Sequence, residues 1–285
     1  MTAVTNKEQK SRTLYVTDLD GTLMRGDKTI SAFTVDTLNR LIGQGMLITY
    51  ATARSFHSAW EITKDIHFRI PVITRNGTVL ADQMLQKETD ISRFSEREVS
   101  ALKGLLTGTM EHMGFVTAYF DGKMRKTYRS EKLSAGFQKY VDEHTNDERI
   151  RAVGEETELF DGLVTYVTLI AEKEELQPIY EKIRDGGSWE CVFQKDTYGD
   201  EYWLEICPPN ATKAKAVLKC KEKLQCGRVV VFGDSLNDLS MFAVADEACA
   251  VENAMDEVKA AATIIIPDNE KDGVAGYLME RWDAL

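Results

Sequence analysis

Apolar and polar positions along the chain follow two rhythms, and their order divides it into three stretches. In the first, short continuous apolar runs alternate with segments of helical periodicity. The run "TLYVTDL" (13–19) is β-rich and apolar at consecutive positions, as a strand buried in a parallel sheet requires. Ser31 is placed to cap "AFTVDTLNRLI" (32–42), whose apolar residues recur at helical spacing until Gly43 and Gly45 end it. "MLITYAT" (46–52) predicts a second strand and "SFHSAWEITKDI" (55–66) a second amphipathic helix. In "IPVITRNGTVLAD" (70–82), Asn76-Gly77 between two β-rich runs is a hairpin signal. A β-α-β-α-β series of this kind implies a parallel sheet with right-handed crossovers.

From about residue 89 the texture changes. "SEREVSALKGLL" (95–106) opens with a capping box, Ser95 to Glu98. "FVTAYFDGKMRKTYR" (115–129) predicts a hairpin turning at Asp121-Gly122, and "LVTYVTLIA" (163–171) a strand. "EKEELQPIYEKIRDGG" (172–187) predicts a helix that Pro178 must either open or break. "WECVFQKDTYGDEYWLEI" (189–206) predicts another hairpin, with its turn near Gly199. After "CPPN" the first rhythm returns: helix in "ATKAKAVLKCKEKLQ" (211–225), strand in "RVVVFGDSL" (228–236), then "NDLSMFAVA", "ACAV" and "AMDEVKAAA" as short helix, brief strand and helix. The predicted fold class is therefore α/β, a Rossmann-like parallel-sheet core over 13–88 and 205–285. An α+β domain over 89–204 interrupts it, and residues 1–12 form a loose polar tail.

Composition narrows the partners. A net charge of -11 argues against nucleic acid, whose phosphates are bound by basic surfaces. It leaves room for a small anionic substrate, because a local cluster of Lys, Arg and metal overrides the global sign. No apolar run approaches the roughly 20 residues of a membrane-spanning helix, and the polar first residues lack a signal peptide's apolar core. The expected compartment is the cytoplasm, with no membrane partner. The five cysteines (Cys191, Cys207, Cys220, Cys226, Cys249) form no CxxC pair and read as free thiols. His57, His67, His112 and His144 have no metal-ligand spacing, and the aromatics Trp189, Phe193, Tyr198, Tyr202 and Trp203 read as core.

The chemistry gathers at strand ends, where open α/β sheets place their ligands. "YVTDLDGTLM" (15–24) delivers Asp18 and Asp20 from one apolar run, and "VVVFGDSLND" (229–238) delivers Asp234, Asn237 and Asp238 from another. "YATARS" puts Thr52 just past the second strand, and "NATKAKAV" puts Lys213 at a helix start, nearer to it than the competing Lys215. Carboxylates brought together raise each other's pKa and need a cation. Hard oxygen ligands in an incomplete shell suit Mg²⁺, with Asp18 and Asp234 as its carboxylates. One such carboxylate is suited to attack phosphorus and a second, two residues on, to move protons.

Taken in order, "DLDGTL", "ATARS", Lys213 and "GDSLND" resemble the four motifs of the haloacid dehalogenase superfamily of phosphatases. The spacing resembles its Cof-like branch, which inserts a large α+β cap between the second and third motifs. "ENAMDEVKAAATIII" and "EKDGVAGYL" are similar to that branch's C-terminal end. The resemblance implies Asp18 as nucleophile and Asp20 as general acid/base. It implies Mg²⁺ held by Asp18, Asp234 and the backbone carbonyl of Asp20. Thr52, Lys213 and Asn237 would hold the phosphoryl group, Asp238 would orient Lys213 or a metal water, and Arg54 would meet the substrate or the cap. Two positions depart from the pattern, Ala53 and Ala214, where the branch usually has Gly. The expected activity is hydrolysis of a small organic phosphate, most naturally a sugar phosphate, through an aspartyl-phosphate. A phosphomutase of the same superfamily and a non-catalytic phosphometabolite sensor are the alternatives.

Overall fold

Strand-forming runs occupy three sheets in the computed structural model, which describes residues 12–129, 132–187 and 189–283. The tail expected over 1–12 lies outside these residues except for its last position. The first strands along the chain are β1 (Thr13–Thr17), β2 (Leu47–Tyr50), β3 (Val72–Thr74), β4 (Val79–Asp82) and β5 (Lys87–Ile91). Next come β6 (Gly114–Phe120), β7 (Lys123–Arg129), β8 (Ile150–Val153), β9 (Leu163–Ala171), β10 (Glu190–Lys195) and β11 (Tyr202–Cys207). The last are β12 (Arg228–Gly233), β13 (Glu247–Val251) and β14 (Ile264–Ile266). The chain divides into two compact units, one running to Asp90 and resuming at Thr212, the other spanning Ile91–Ala211.

The first unit is built on a parallel sheet of order β14-β13-β12-β1-β2. Leu14 and Val16 of β1 and Val229, Val231 and Phe232 of β12 are fully buried, which is why these runs are apolar without alternation. Helices Ala32–Gly43, Phe56–Thr63 and Lys213–Lys223 are N-capped by Ser31, Ser55 and Thr212, each accepting from a backbone N–H three residues on. After β1 the chain builds outward through β2; after the second unit it returns to the other side of β1 as β12. β1 and β12 therefore flank the point where strand order reverses, the crevice where such sheets bind ligands.

β3 continues from β2 through a parallel bridge, Ala51 to Ile73, and pairs antiparallel with β4. The expected hairpin forms, but its loop is four residues long because Thr74 pairs with Val79. Arg75, Asn76 and Gly77 all take positive φ there, +50°, +51° and +95°. β5, with the polar sequence "KETDI", was not legible as a strand; it extends this small sheet.

The second unit holds a six-stranded sheet of order β10-β11-β9-β6-β7-β8, antiparallel except for the β7–β8 pair. The Ser95–Glu98 capping box is present, with Glu98 reaching back to the Ser95 amide at 2.6 Å. Pro178 neither opens nor breaks its helix: Lys173–Gly186 runs through it. β8 and the helix Ala135–Glu143 were not anticipated, and the unit continues past residue 204 because β11 pairs with β9. Trp189, Phe193 and Tyr202 pack on this unit's core, and Phe193 stacks on Tyr180.

Gly77 is a position at which the first unit leaves no room for a side chain. A Cβ there would lie 2.2 Å from the carbonyl oxygen of Thr212, the residue that caps the Lys213 helix. Its φ of +95° is one that L side chains rarely adopt. Gly77→Ala is expected to lower the thermal midpoint by about 5 °C or more, measured by circular dichroism; an unchanged midpoint would contradict this packing.

Candidate active site

Asp18 follows directly on β1, and its backbone N–H donates to the carbonyl of Phe232 on β12 at 2.9 Å, so the two strand ends deliver their acids side by side. Oxygen atoms of Asp18, Asp234 and Asp238 all lie within 4.8 Å of one another, and all three residues are buried. The neighbouring turn is shaped to admit them. Gly21 sits at φ +74°, and a Cβ there would fall 2.4 Å from the Asp234 carboxylate. Asn253 donates to the Gly21 carbonyl at 2.7 Å and Asn269 to that of Met24 at 2.7 Å, tying the turn to the C-terminal segment.

Lys213 is the first residue of its helix and is 1% exposed. Its ammonium donates to Asp18 Oδ1 at 2.6 Å and Asp238 Oδ1 at 2.7 Å. Lys215, two residues on, is exposed. Asp238 uses its other oxygen to accept from the amides of Asp234 at 2.9 Å and Ser235 at 3.0 Å. Asp234 accepts from the hydroxyls of Thr22 at 2.7 Å and Ser235 at 3.1 Å. These donors satisfy the buried oxygens, as burial demands.

The charges nevertheless do not balance: three buried carboxylates face one ammonium. Burial pushes Asp18 well above the ordinary carboxylate range. Lys213 pulls it back, while Asp238, Asp234 and Asp20 push it further. Asp234 is pushed up to about 7, first by burial and then by Asp238, against the Thr22 and Ser235 hydroxyls and Lys213. Burial alone would lower Lys213, but Asp18 and Asp238 outweigh it and hold the ammonium above its usual range. A closed set of carboxylate oxygens with surplus negative charge fits a hard divalent cation.

Asp20 forms no hydrogen bond to this cluster among the described residues. Its carboxylate accepts two parallel bonds from Arg54, Nε at 2.7 Å and Nη2 at 2.6 Å, the side-on arrangement that fixes a carboxylate most firmly. Thr52 is fully buried; its hydroxyl accepts from the Arg54 amide at 3.1 Å and donates to no acceptor among the described residues. Asn237 donates through Nδ2 to Asn76 Oδ1 at 3.2 Å, linking the β12 exit to the β3–β4 turn. Ala53 and Ala214 are both half-buried, and Ala214 lies within the Lys213 helix, where alanine is favourable.

The structure thus brings Asp18, Lys213, Asp234 and Asp238 into one buried cluster and joins Asp20 to Arg54 and Asn237 to Asn76. Sequence reading passed over Thr22, Ser235, Asn253 and the Arg75–Asn76 pair. Thr22 and Ser235 sit inside the quoted motifs, and their hydroxyls were the available signal. In the sequence Asn76 carries only the signal of a turn residue.

Comparisons with known proteins find relatives over nearly the whole chain. A family model described as haloacid dehalogenase-like hydrolase matches residues 15–278. A 5-amino-6-(5-phospho-D-ribitylamino)uracil phosphatase of Bacillus subtilis is 25% identical over 92% of this chain and 95% of its own. A pyridoxal phosphate phosphatase of Escherichia coli is 26% identical over 92% of this chain and 95% of its own. A solved structure from Thermotoga maritima superposes with a TM-score of 0.72 at 26% identity, covering 95% of this chain and 97% of that one. Among the described residues, no helix is long and apolar enough to cross a membrane.

The Asp234 shift has a defined consequence for stability. A carboxyl whose folded pKa is about 7 binds its proton more tightly than in the unfolded chain. Its contribution is therefore greatest at low pH and is lost as pH rises from about 4 to about 7. In EDTA at pH 8, Asp234→Asn is expected to melt about 2 °C or more above wild type, with the difference gone at pH 4. A variant less stable than wild type at pH 8 would contradict the like-charge crowding.

Proposed function

Because the chain belongs to the haloacid dehalogenase-like hydrolases, we propose that it is a Mg²⁺-dependent phosphatase of small organic phosphate monoesters that works through an aspartyl-phosphate on Asp18. The observation that carries this reading is the buried Lys213 ammonium, 2.6 Å from Asp18 and 2.7 Å from Asp238 at the exits of β1 and β12. It sets a nucleophile, a fixed positive charge and a crowd of acids at one sheet edge.

The carboxylates of Asp18 and Asp234, with the backbone carbonyl of Asp20, would hold Mg²⁺, which supplies charge neutralisation for the phosphoryl oxygens. Both Asp238 oxygens are engaged by Lys213 and two amides, which suits it to holding the lysine rather than the metal. Asp18 attacks phosphorus as the bond to the leaving oxygen breaks, and Asp20 gives that oxygen its proton. Asp20 then takes a proton from water as the water oxygen attacks phosphorus, releasing inorganic phosphate and restoring Asp18. Lys213, the free proton of the Thr52 hydroxyl and Asn237 bind and orient the phosphoryl oxygens, where charge spreads in the transition state. Arg54 keeps the Asp20 carboxylate at a fixed angle and must loosen for the proton transfer.

The substrate class we favour is a phosphorylated sugar or polyol. The Bacillus subtilis relative is named for a substrate with a 5-phospho-D-ribityl chain. That chain carries its phosphate on a polyol.

The test is phosphate release from a panel of phosphorylated metabolites with Mg²⁺ and with EDTA. Asp18→Ala is expected to lose at least about 10³-fold in kcat/KM, and retained turnover would sink the assignment. Inorganic phosphate formed in proportion to substrate consumed separates hydrolysis from phosphoryl return to sugar. Asp20→Asn is expected to cost about 10²–10⁴-fold with alkyl phosphates. With p-nitrophenyl phosphate, whose leaving group needs no proton, the loss in kcat/KM, which reports phosphoryl transfer to Asp18 and not the later attack of water, should be far smaller. Equal losses would remove Asp20 from the acid role.

A further inference from the structure

Among the described residues three cationic side chains are buried: Lys213, Lys126 and Arg75. Lys213 lies between two carboxylates, and Lys126 is 3.9 Å from Asp147 and bonded to Tyr140. Arg75 differs. It is 3% exposed, its Nε and Nη2 are buried without a hydrogen-bond partner, and no carboxylate among the described residues forms an ion pair with it. A guanidinium does not deprotonate to relieve such a position, and a buried charge without a partner is among the costliest features a fold can carry.

Its backbone ties it to the candidate site. The Arg75 amide donates to the Arg54 carbonyl at 2.9 Å, and the next amide, of Asn76, donates to the Thr52 carbonyl at 2.9 Å. Asn76 Oδ1 receives the Asn237 side chain at 3.2 Å, and Gly77 abuts the backbone of Thr212 and Lys213. Arg75 is thus mounted on the turn that joins three segments proposed to hold the phosphoryl group. It takes a φ of +50° there, uncommon for a long side chain.

Charge counting says what it is for. Asp18, Asp234 and Asp238 carry three negative charges, which Lys213 and a divalent cation cancel, and Asp20 already takes Arg54. A substrate phosphate brings new negative charge, and Arg75 is the buried cation for which the described residues provide no ion pair. We propose that Arg75 is a substrate-binding residue whose guanidinium receives an oxyanion of the phosphorylated substrate. The assignment rests on the phosphatase reading for the place of the site. It requires that anion binding, not folding, be what Arg75 serves.

The experiment measures binding by calorimetry in the full chain with Mg²⁺, in an Asp18→Asn background so that no probe is consumed. The probes are inorganic phosphate, glycerol 3-phosphate and 3-phosphoglycerate; the last two differ chiefly in a carboxylate. Arg75→Gln is expected to weaken at least one probe about tenfold or more, as loss of a charged hydrogen bond does. Weakening of all three places the scissile phosphoryl group on Arg75. Weakening of 3-phosphoglycerate alone places a second anionic group there and marks phosphorylated acids as preferred substrates.

Arg75→Lys keeps the charge and loses the fork, so it should recover part of the affinity; it also replaces the glutamine variant should that one not fold. Affinities within about twofold of the parent for all three probes overturn the proposal, whether or not the melting temperature moves. So does a parent protein that binds none of them. Phosphate release by wild type is scored separately. Turnover with unchanged binding in Arg75→Gln sinks this assignment alone, and weakened binding without turnover sinks the phosphatase reading alone.

Discussion

The contact on which the site depends is the buried ammonium of Lys213 held between Asp18 and Asp238. Two ion pairs inside a protein do not by themselves stabilise it, since taking charges out of water costs as much as their attraction returns. Here the arrangement is less favourable still, because Asp234 adds a third acid with no cation of its own. The protein meets this with directed donors. Thr22 and Ser235 hydroxyls serve Asp234, two amides serve Asp238, and the remaining surplus of negative charge defines a place for a hard cation. The strain is local and chemical, and it lies at the carboxylates on which the proposed reaction depends.

The parallel sheet makes that concentration possible. β1 and β12 are neighbours in register, Thr17 beside Phe232, although more than two hundred positions separate them in the chain. Their exits therefore point the same way and leave their acids together. The β3–β4 turn approaches from the other side of β2, with its amides on the carbonyls of Thr52 and Arg54. Its close fit against Thr212 places the start of the Lys213 helix. Backbone contacts of this kind, not side-chain complementarity alone, set the angles at which the functional groups meet.

Legibility differed between the two units for a physical reason. In the first, buried parallel strands read as continuous apolar runs, and Ser31 and Thr212 have the chemistry of helix caps. In the second, strands with one wet face dilute the signal. β8 has only Val153 buried and does not rise above loop composition, and β5 of the first unit, polar almost throughout, escapes notice for the same reason. Pro178 was expected to end or begin a helix. Packing of Leu176 and Ile183 on the unit's core carries the helix through it.

By itself the sequence determined which strands are central, where the chain changes texture, and which residue types wait at the strand ends. Asp18, Asp20, Thr52, Lys213, Asp234 and Asp238 could all be named from local pattern, because each is delivered by a short apolar run or a helix start. Tertiary structure decided who pairs with whom. That Asp20 takes Arg54, that Asp238 spends both oxygens on Lys213 and two amides, and that Arg75 buries two guanidinium nitrogens with no hydrogen bond among the described residues are facts about distance. Pattern along a chain encodes burial and secondary structure, which are local. Charge balance depends on Coulomb terms between residues far apart in sequence, and only the closed fold brings those within range.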